Sequence, residues 1–276
     1  MAKTVLITGA SAAVGAATAE AFLADDWTVW ATAPDEDEIV DLADQGCETA
    51  ELDVTNAREC ERVVEELIDD TGRLDCLVNA ASLSRFGAVE DIPTDRLHEQ
   101  FDVTVYGPHR LIREALPHMR ARENGTVVNV SSITGRLSTP GRGADAAAKF
   151  ALEGLSDALR VEADSFDVDV VVVEPGPIRD GEQPAEDEPE SASGAYDWLY
   201  RAREDSRLTG VQDALGVTPG TVALAIRDAA NNSDPAPRYP VGEGAKVLLL
   251  ADYVPERWRD TAFGVLRQLM GSRGRR

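Results

Sequence analysis

Ser132, Asp145 and Lys149 are the residues of this chain whose types and spacing fit joint chemistry. Ser132 closes an apolar run, Gly125-Thr-Val-Val-Asn-Val-Ser-Ser132. Thirteen residues later comes Asp145, and Lys149 follows it in Asp145-Ala-Ala-Ala-Lys149. A step of four residues is one helical turn, so the two charged side chains share a helix face. A hydroxyl, an acid–base group and an ammonium at one strand end can orient an oxygen, move a proton and hold a ligand.

The elements around them read as α/β. Short runs rich in Val and Ile alternate with stretches of helical period. Strands are expected near 3–8, 27–33, 48–52, 75–79, 125–131, 168–174 and 238–241. Helices are expected near 14–24, 35–45, 56–70, 94–122, 144–164, 218–230, 243–251 and 255–270. Strands as apolar as Val170-Val-Val-Val173, each followed by a helix, belong to a parallel sheet covered on both faces. Right-handed crossovers then give a Rossmann-type doubly wound sheet of about seven strands, in one domain spanning 1–276. The polar, breaker-rich stretch after the sixth strand is a candidate substrate lid near 178–215, and 243–271 is a helical extension.

The strand ends offer a nucleotide site. Thr8-Gly9-Ala-Ser11-Ala-Ala13-Val14-Gly15 follows the first strand and opens a helix. Its small residues admit a pyrophosphate to the backbone and to the helix N-terminus. Asp53-Val54 ends the third strand and Asn79-Ala80-Ala81 the fourth. All lie on the rim where such sheets bind ligands.

These residues resemble the short-chain dehydrogenase/reductase family over nearly the full length. Thr8-Gly9-x-x-x-Ala13-x-Gly15 is similar to its nucleotide-binding turn, and Asn79-Ala80-Ala81 to its Asn-Ala-Gly segment. Asp53 stands where the family contacts adenine, and Pro175-Gly176-Pro177-Ile178 resembles its Pro-Gly turn. Pro237-Arg-Tyr-Pro-Val-Gly242 and the helix after it look like members acting on steroid or retinol-like alcohols. The resemblance implies hydride transfer between a nicotinamide cofactor and a small apolar alcohol or carbonyl compound. It also implies pairing through the two long helices, as a homodimer or homotetramer. The second strand ends in Pro34-Asp35, where members preferring NADP usually carry an Arg; NAD is therefore expected over NADP.

The same resemblance exposes departures. The family uses a Tyr to exchange the substrate proton, a Ser to orient its oxygen, a Lys to hold the ribose and an Asn to relay protons. Ser132 and Lys149 match, whereas Asp145 replaces the Tyr and Thr104 the Asn. Asp180 stands where a Thr often touches the nicotinamide amide. A carboxylate has no proton to donate at neutral pH and repels the charge that develops on a reduced carbonyl. At about 4 Å and an effective dielectric near 20, that repulsion is roughly 4 kcal/mol. The spacing predicts an Asp145–Lys149 ion pair, and Tyr106, Tyr196 or Tyr200 is the candidate replacement donor. Three readings follow: a slow or atypical oxidoreductase, a cofactor-binding protein without turnover, and a lyase or isomerase using Asp145 as base.

The formal net charge is −23 and the acids are scattered along the chain, so a nucleic-acid partner is not expected. Only three lysines occur, Lys3, Lys149 and Lys246. This composition suits a salt-rich cytoplasm, because a Debye length of roughly 3 Å at 1 M salt mutes self-repulsion. The melting midpoint is expected to rise with KCl; a midpoint indifferent to salt would contradict that reading. No apolar run is long enough to span a membrane, and the N-terminus does not read as a signal peptide. Cys47, Cys60 and Cys76 lack metal-ligand spacing and read as buried, reduced thiols.

Overall fold

Seven parallel strands form one sheet in a computed structural model that describes residues 2–179, 193–208, 216–249 and 254–273. The strands are β1 (Thr4–Thr8), β2 (Thr28–Ala33), β3 (Glu48–Glu51), β4 (Cys76–Asn79), β5 (Gly125–Val130), β6 (Val168–Pro175) and β7 (Arg238–Val241). Their order is β3-β2-β1-β4-β5-β6-β7. The order reverses beside β1, so the rim above β1 and β4 is the switch point where doubly wound sheets take ligands.

Alternation along each strand builds two cores. Val5 and Ile7 face the core shared with α1 (Ala13–Leu23) and α8 (Pro219–Asn231), which includes Phe22, Val222 and Ile226. Leu6 faces the opposite core, shared with α3 (Ala57–Thr71) and α5 (Gly107–Ala121), which includes Leu67, Leu111 and Met119. All five β1 residues are buried because both faces are covered. Complete burial of each Leu, Ile or Phe contributes about 1.5–3 kcal/mol. Cys47, Cys60 and Cys76 are free and lie in these cores. Burial pushes the Cys47 and Cys60 thiols up to about 11 and raises Cys76 as well, which leaves them poorly reactive.

Two predicted elements come out differently. The helix expected over 94–122 is α4 (Thr94–Phe101), then a π turn (Asp102–Tyr106), then α5. Within the stretch expected to be a lid, Asp197–Leu208 is helical, here α7. Residues 180–192 and 209–215 of that stretch, and with them Asp180, lie outside the described residues. The C-terminal part contains α9 (Glu243–Leu249) and α10 (Glu256–Arg273). Among the described residues no helix is long and apolar enough to cross a membrane.

Candidate active site

The turn after β1 is shaped by what a Cβ would strike. Gly9 has φ of +69°, and a Cβ there would lie 2.8 Å from the Cα of Ala81. A Cβ on Gly15 would lie 2.1 Å from the Gly9 carbonyl oxygen. Glycine alone allows this close stacking of turn, helix and β4 loop. Thr8 binds the layers together: its Oγ1 accepts from the backbone N–H groups of Ala80 and Ala81, each at 3.1 Å. The N-cap of α1 is Ala12, which offers no side-chain cap, and the first turn holds no acid. Its N–H groups therefore suit an anion, and the cradle fits a dinucleotide pyrophosphate. Ser11, Ala13 and Val14 belong to this turn and to the start of α1.

The other predicted cofactor contacts divide into rim and scaffold. Asp53 lies at the rim, where its Oδ1 accepts from the N–H and hydroxyl of Thr55 at 2.9 and 2.8 Å. Val54 is buried in the core, and its carbonyl accepts from Arg110 at 3.0 Å. Asn79 is also buried, and its amide donates to Asn129 at 2.8 Å. Asn129 donates in turn to Ser156 on α6 (Gly143–Ala163) at 2.9 Å. The Asn79 side chain thus ties β4 to β5 and α6, leaving Ala80 and Ala81 as the rim. Beyond β6, Gly176 N–H donates to Val241 at 3.0 Å, and Ile178 bridges to Val217. Pro175, paired with Val241, and Gly176 are held against β7.

Asp145, Lys149 and Ser132 converge, but the expected Asp145–Lys149 ion pair is not made. Asp145 is only 6% exposed and accepts from the Thr134 hydroxyl at 3.0 Å. Lys149, 5% exposed, donates to the Val130 carbonyl at 2.9 Å, at the end of β5. Spacing alone placed the two on one face, but burial gave each a separate hydrogen-bond partner. Burial lowers the Lys149 pKa from its usual value, while the charges of Asp145 and Glu153 oppose that shift. Ser132 caps the short turn Ile133–Gly135, its Oγ accepting from Thr134 N–H at 3.3 Å. The Ser132 O–H remains a donor toward a substrate oxygen.

Thr104 sits within the π turn, 1% exposed, where its hydroxyl oxygen accepts from Gln100 at 3.2 Å. Such turns re-aim a side chain and recur at functional sites. The three candidate replacement tyrosines are engaged elsewhere. Tyr106 packs beside the rings of His98 and Phe101. Tyr196 donates to Glu90 at 2.5 Å, and Tyr200 to Asp91 at 3.0 Å. Together these two hold α7 and the residue before it against the segment after β4.

Two features escaped the sequence reading. Thr134, two residues after Ser132, donates the hydrogen bond that Asp145 accepts. Glu153, one turn beyond Lys149, is buried and accepts from Arg238 of β7 at 3.0 Å. The four-residue step from Lys149 to Glu153 was the available signal for the second.

The chain belongs to the short-chain dehydrogenase family, an oxidoreductase family whose model matches residues 3–190. It is 31% identical over 244 residues to the uncharacterized oxidoreductase YbbO of Escherichia coli strain K12, covering 87% of this chain and 86% of that one. A crystal structure of a short-chain dehydrogenase from Streptomyces avermitilis matches with a TM-score of 0.83 and 32% identity, covering 100% of this chain and 99% of that chain. The NADP-bound structure of ElxO shares the fold at a TM-score of 0.75 and 24% identity, covering 90% of this chain and 100% of that one.

Proposed function

We propose that the protein binds NAD on the strand-end rim and acts as a slow, atypical oxidoreductase on a small apolar alcohol or carbonyl compound. One observation carries the reading. Ser132 and Lys149 lie at the end of β5 in a chain whose turn after β1 is formed, while the position matching the family's proton donor holds a buried Asp145 that accepts a hydrogen bond from Thr134. The dinucleotide, when bound, supplies the hydride. Ser132 orients the substrate oxygen, and Lys149 reaches toward the ribose from its place at Val130. Asp145 opposes charge on that oxygen. A second reading, cofactor binding without turnover, is favoured by the engagement of Tyr196 and Tyr200 with Glu90 and Asp91. An assay of NADH oxidation with a panel of apolar ketones tests both: slow turnover supports the first, none the second, and brisk turnover contradicts both.

The preference for NAD rests on the end of β2. Asp35 accepts from Asp37 N–H at 3.0 Å, and Glu36 and Asp37 follow it. This acidic run repels a 2′-phosphate and offers it no cation. ElxO was solved with NADP; this chain is expected to bind NADH at least tenfold more tightly than NADPH. Equal affinities in a fluorescence titration would reverse the assignment.

The same reading includes a homo-oligomer. A groove of about 380 Å³ between α5 and α6 is walled in part by Ile112, Leu116, Leu155 and Leu159. Leu155 is 41% exposed there, an apolar surface suited to a second copy. Light scattering should report a dimer or tetramer, and a monomer at micromolar concentration would remove the proposal. The scattered acid excess accords with a salt-rich cytoplasm.

A further inference from the structure

We propose that a second groove, bordered by the loop between Ser132 and Asp145, binds a single-chain amphipathic anion such as a medium-chain carboxylate. The groove has a volume of about 960 Å³ and is lined by that loop from Ser138 to Gly143, by Trp198 of α7 and by one face of α10. None of Ser132, Asp145, Lys149 or Thr104 lines it.

Its lining joins an apolar body to a cationic end. Phe150, Trp198 and Phe263 face it, and Phe150 is 46% exposed. Arg259 and Arg267 line it from α10. Neither forms an ion pair among the described residues, in a chain with 50 acids against 27 basic residues. Arg259 has Glu256 and Asp260 beside it on the groove wall. Arg267 has none: from Thr261 to Arg276 the sequence contains no Asp or Glu.

The polarity along α10 sets the orientation. Phe263 and Arg267 lie one turn apart on one face, about 6 Å along the axis. A carboxylate at Arg267 gains a charge-assisted, bidentate contact, and its chain runs over Phe263 toward Phe150 and Trp198. The acids at the Arg259 end turn the headgroup away. A protein with a net charge of −23 repels small anions in general, so binding here requires the local pair of arginine and apolar wall.

The test is a titration of the full-length protein with dodecanoate and with octanoate, followed by calorimetry and by tryptophan fluorescence, since Trp198 lines the groove. Saturable binding is expected, with dodecanoate favoured by about fourfold for each added methylene that is buried. Arg267→Gln should weaken dodecanoate at least about tenfold, and Arg267→Lys should weaken it less than Arg267→Gln does, because it keeps the charge and loses the fork. Dodecan-1-ol should bind at least tenfold more weakly than dodecanoate. Absence of saturable binding, an unchanged affinity in Arg267→Gln, or equal binding of dodecan-1-ol would each overturn the proposal. The measurement needs no turnover, so it stands or falls independently of the oxidoreductase reading.

Discussion

Asp145→Tyr is expected to raise the rate of NADH-dependent reduction of apolar ketones about a thousandfold or more. Removing a like charge about 4 Å from the developing oxyanion recovers roughly 4 kcal/mol at an effective dielectric near 20. That alone corresponds to about three orders of magnitude. The tyrosine also restores a proton donor beside Ser132. Thr134 loses its acceptor but is itself partly exposed, and Lys149 keeps its contact with Val130. Steady-state kcat, measured with NADH affinity held as a control, is the readout. An unchanged kcat with intact NADH binding would refute the role given to Asp145. A folded Asp145→Asn variant separates the two contributions, since it removes the charge without supplying the phenol.

The largest stability effect is expected at Arg238. Its guanidinium bridges Glu153 at 3.0 Å and Asp157 at 2.8 Å on α6, and approaches Glu174 of β6 at 3.6 Å. Glu153 and Glu174 are 4% and 1% exposed. Arg238→Ala leaves Glu153 buried without its cation, at a cost of about 3 kcal/mol, taking the low end because Arg238 is itself partly exposed. For a chain of this size the melting midpoint should fall by roughly 6–12 °C. The pH dependence follows from the direction of the Glu153 shift. Burial, and then the charge of Glu174, raise its pKa above the usual 4.5 against the pull of the Ser131 hydroxyl and of Arg238. A carboxyl raised in the folded state favours folding at low pH and loses that advantage as pH rises through its folded value. Without Arg238 the carboxyl rises further. The deficit should therefore be largest at neutral pH and narrow as pH falls toward 4.5. Thermal melts from pH 5 to pH 8 check this; a deficit that widens toward acid would refute the assignment. Adding Glu153→Gln should recover much of the loss.

The fold was legible because its strands announce themselves. Val170 to Val173 can only be a strand buried on both faces, and the small residues from Gly9 to Gly15 can only be a tight strand-to-helix turn. The π turn was not legible: one extra residue per turn leaves the helical pattern of 94–122 nearly intact while shifting where Thr104 points. The helix α7 lay in a polar stretch whose composition resembles loop. The ion pair expected for Asp145 and Lys149 failed for a different reason. Spacing places two side chains on one face, but which partner each takes depends on groups from other elements, here the Val130 carbonyl and the Thr134 hydroxyl. Asn79 shows the same limit. Its place at a strand end suggested a ligand contact, yet a buried amide satisfies itself first, and Asn129 stood opposite it in register.

The proposed function requires a working nucleotide site beside a position that cannot donate a proton. Titration of the wild-type protein with NADH, with single-turnover ketone reduction measured on the same samples, separates these two halves. Saturable NADH binding is expected, with a reduction rate at least about a thousandfold below that of Asp145→Tyr. Wild-type reduction as fast as the variant, or no NADH binding by either protein, would contradict it.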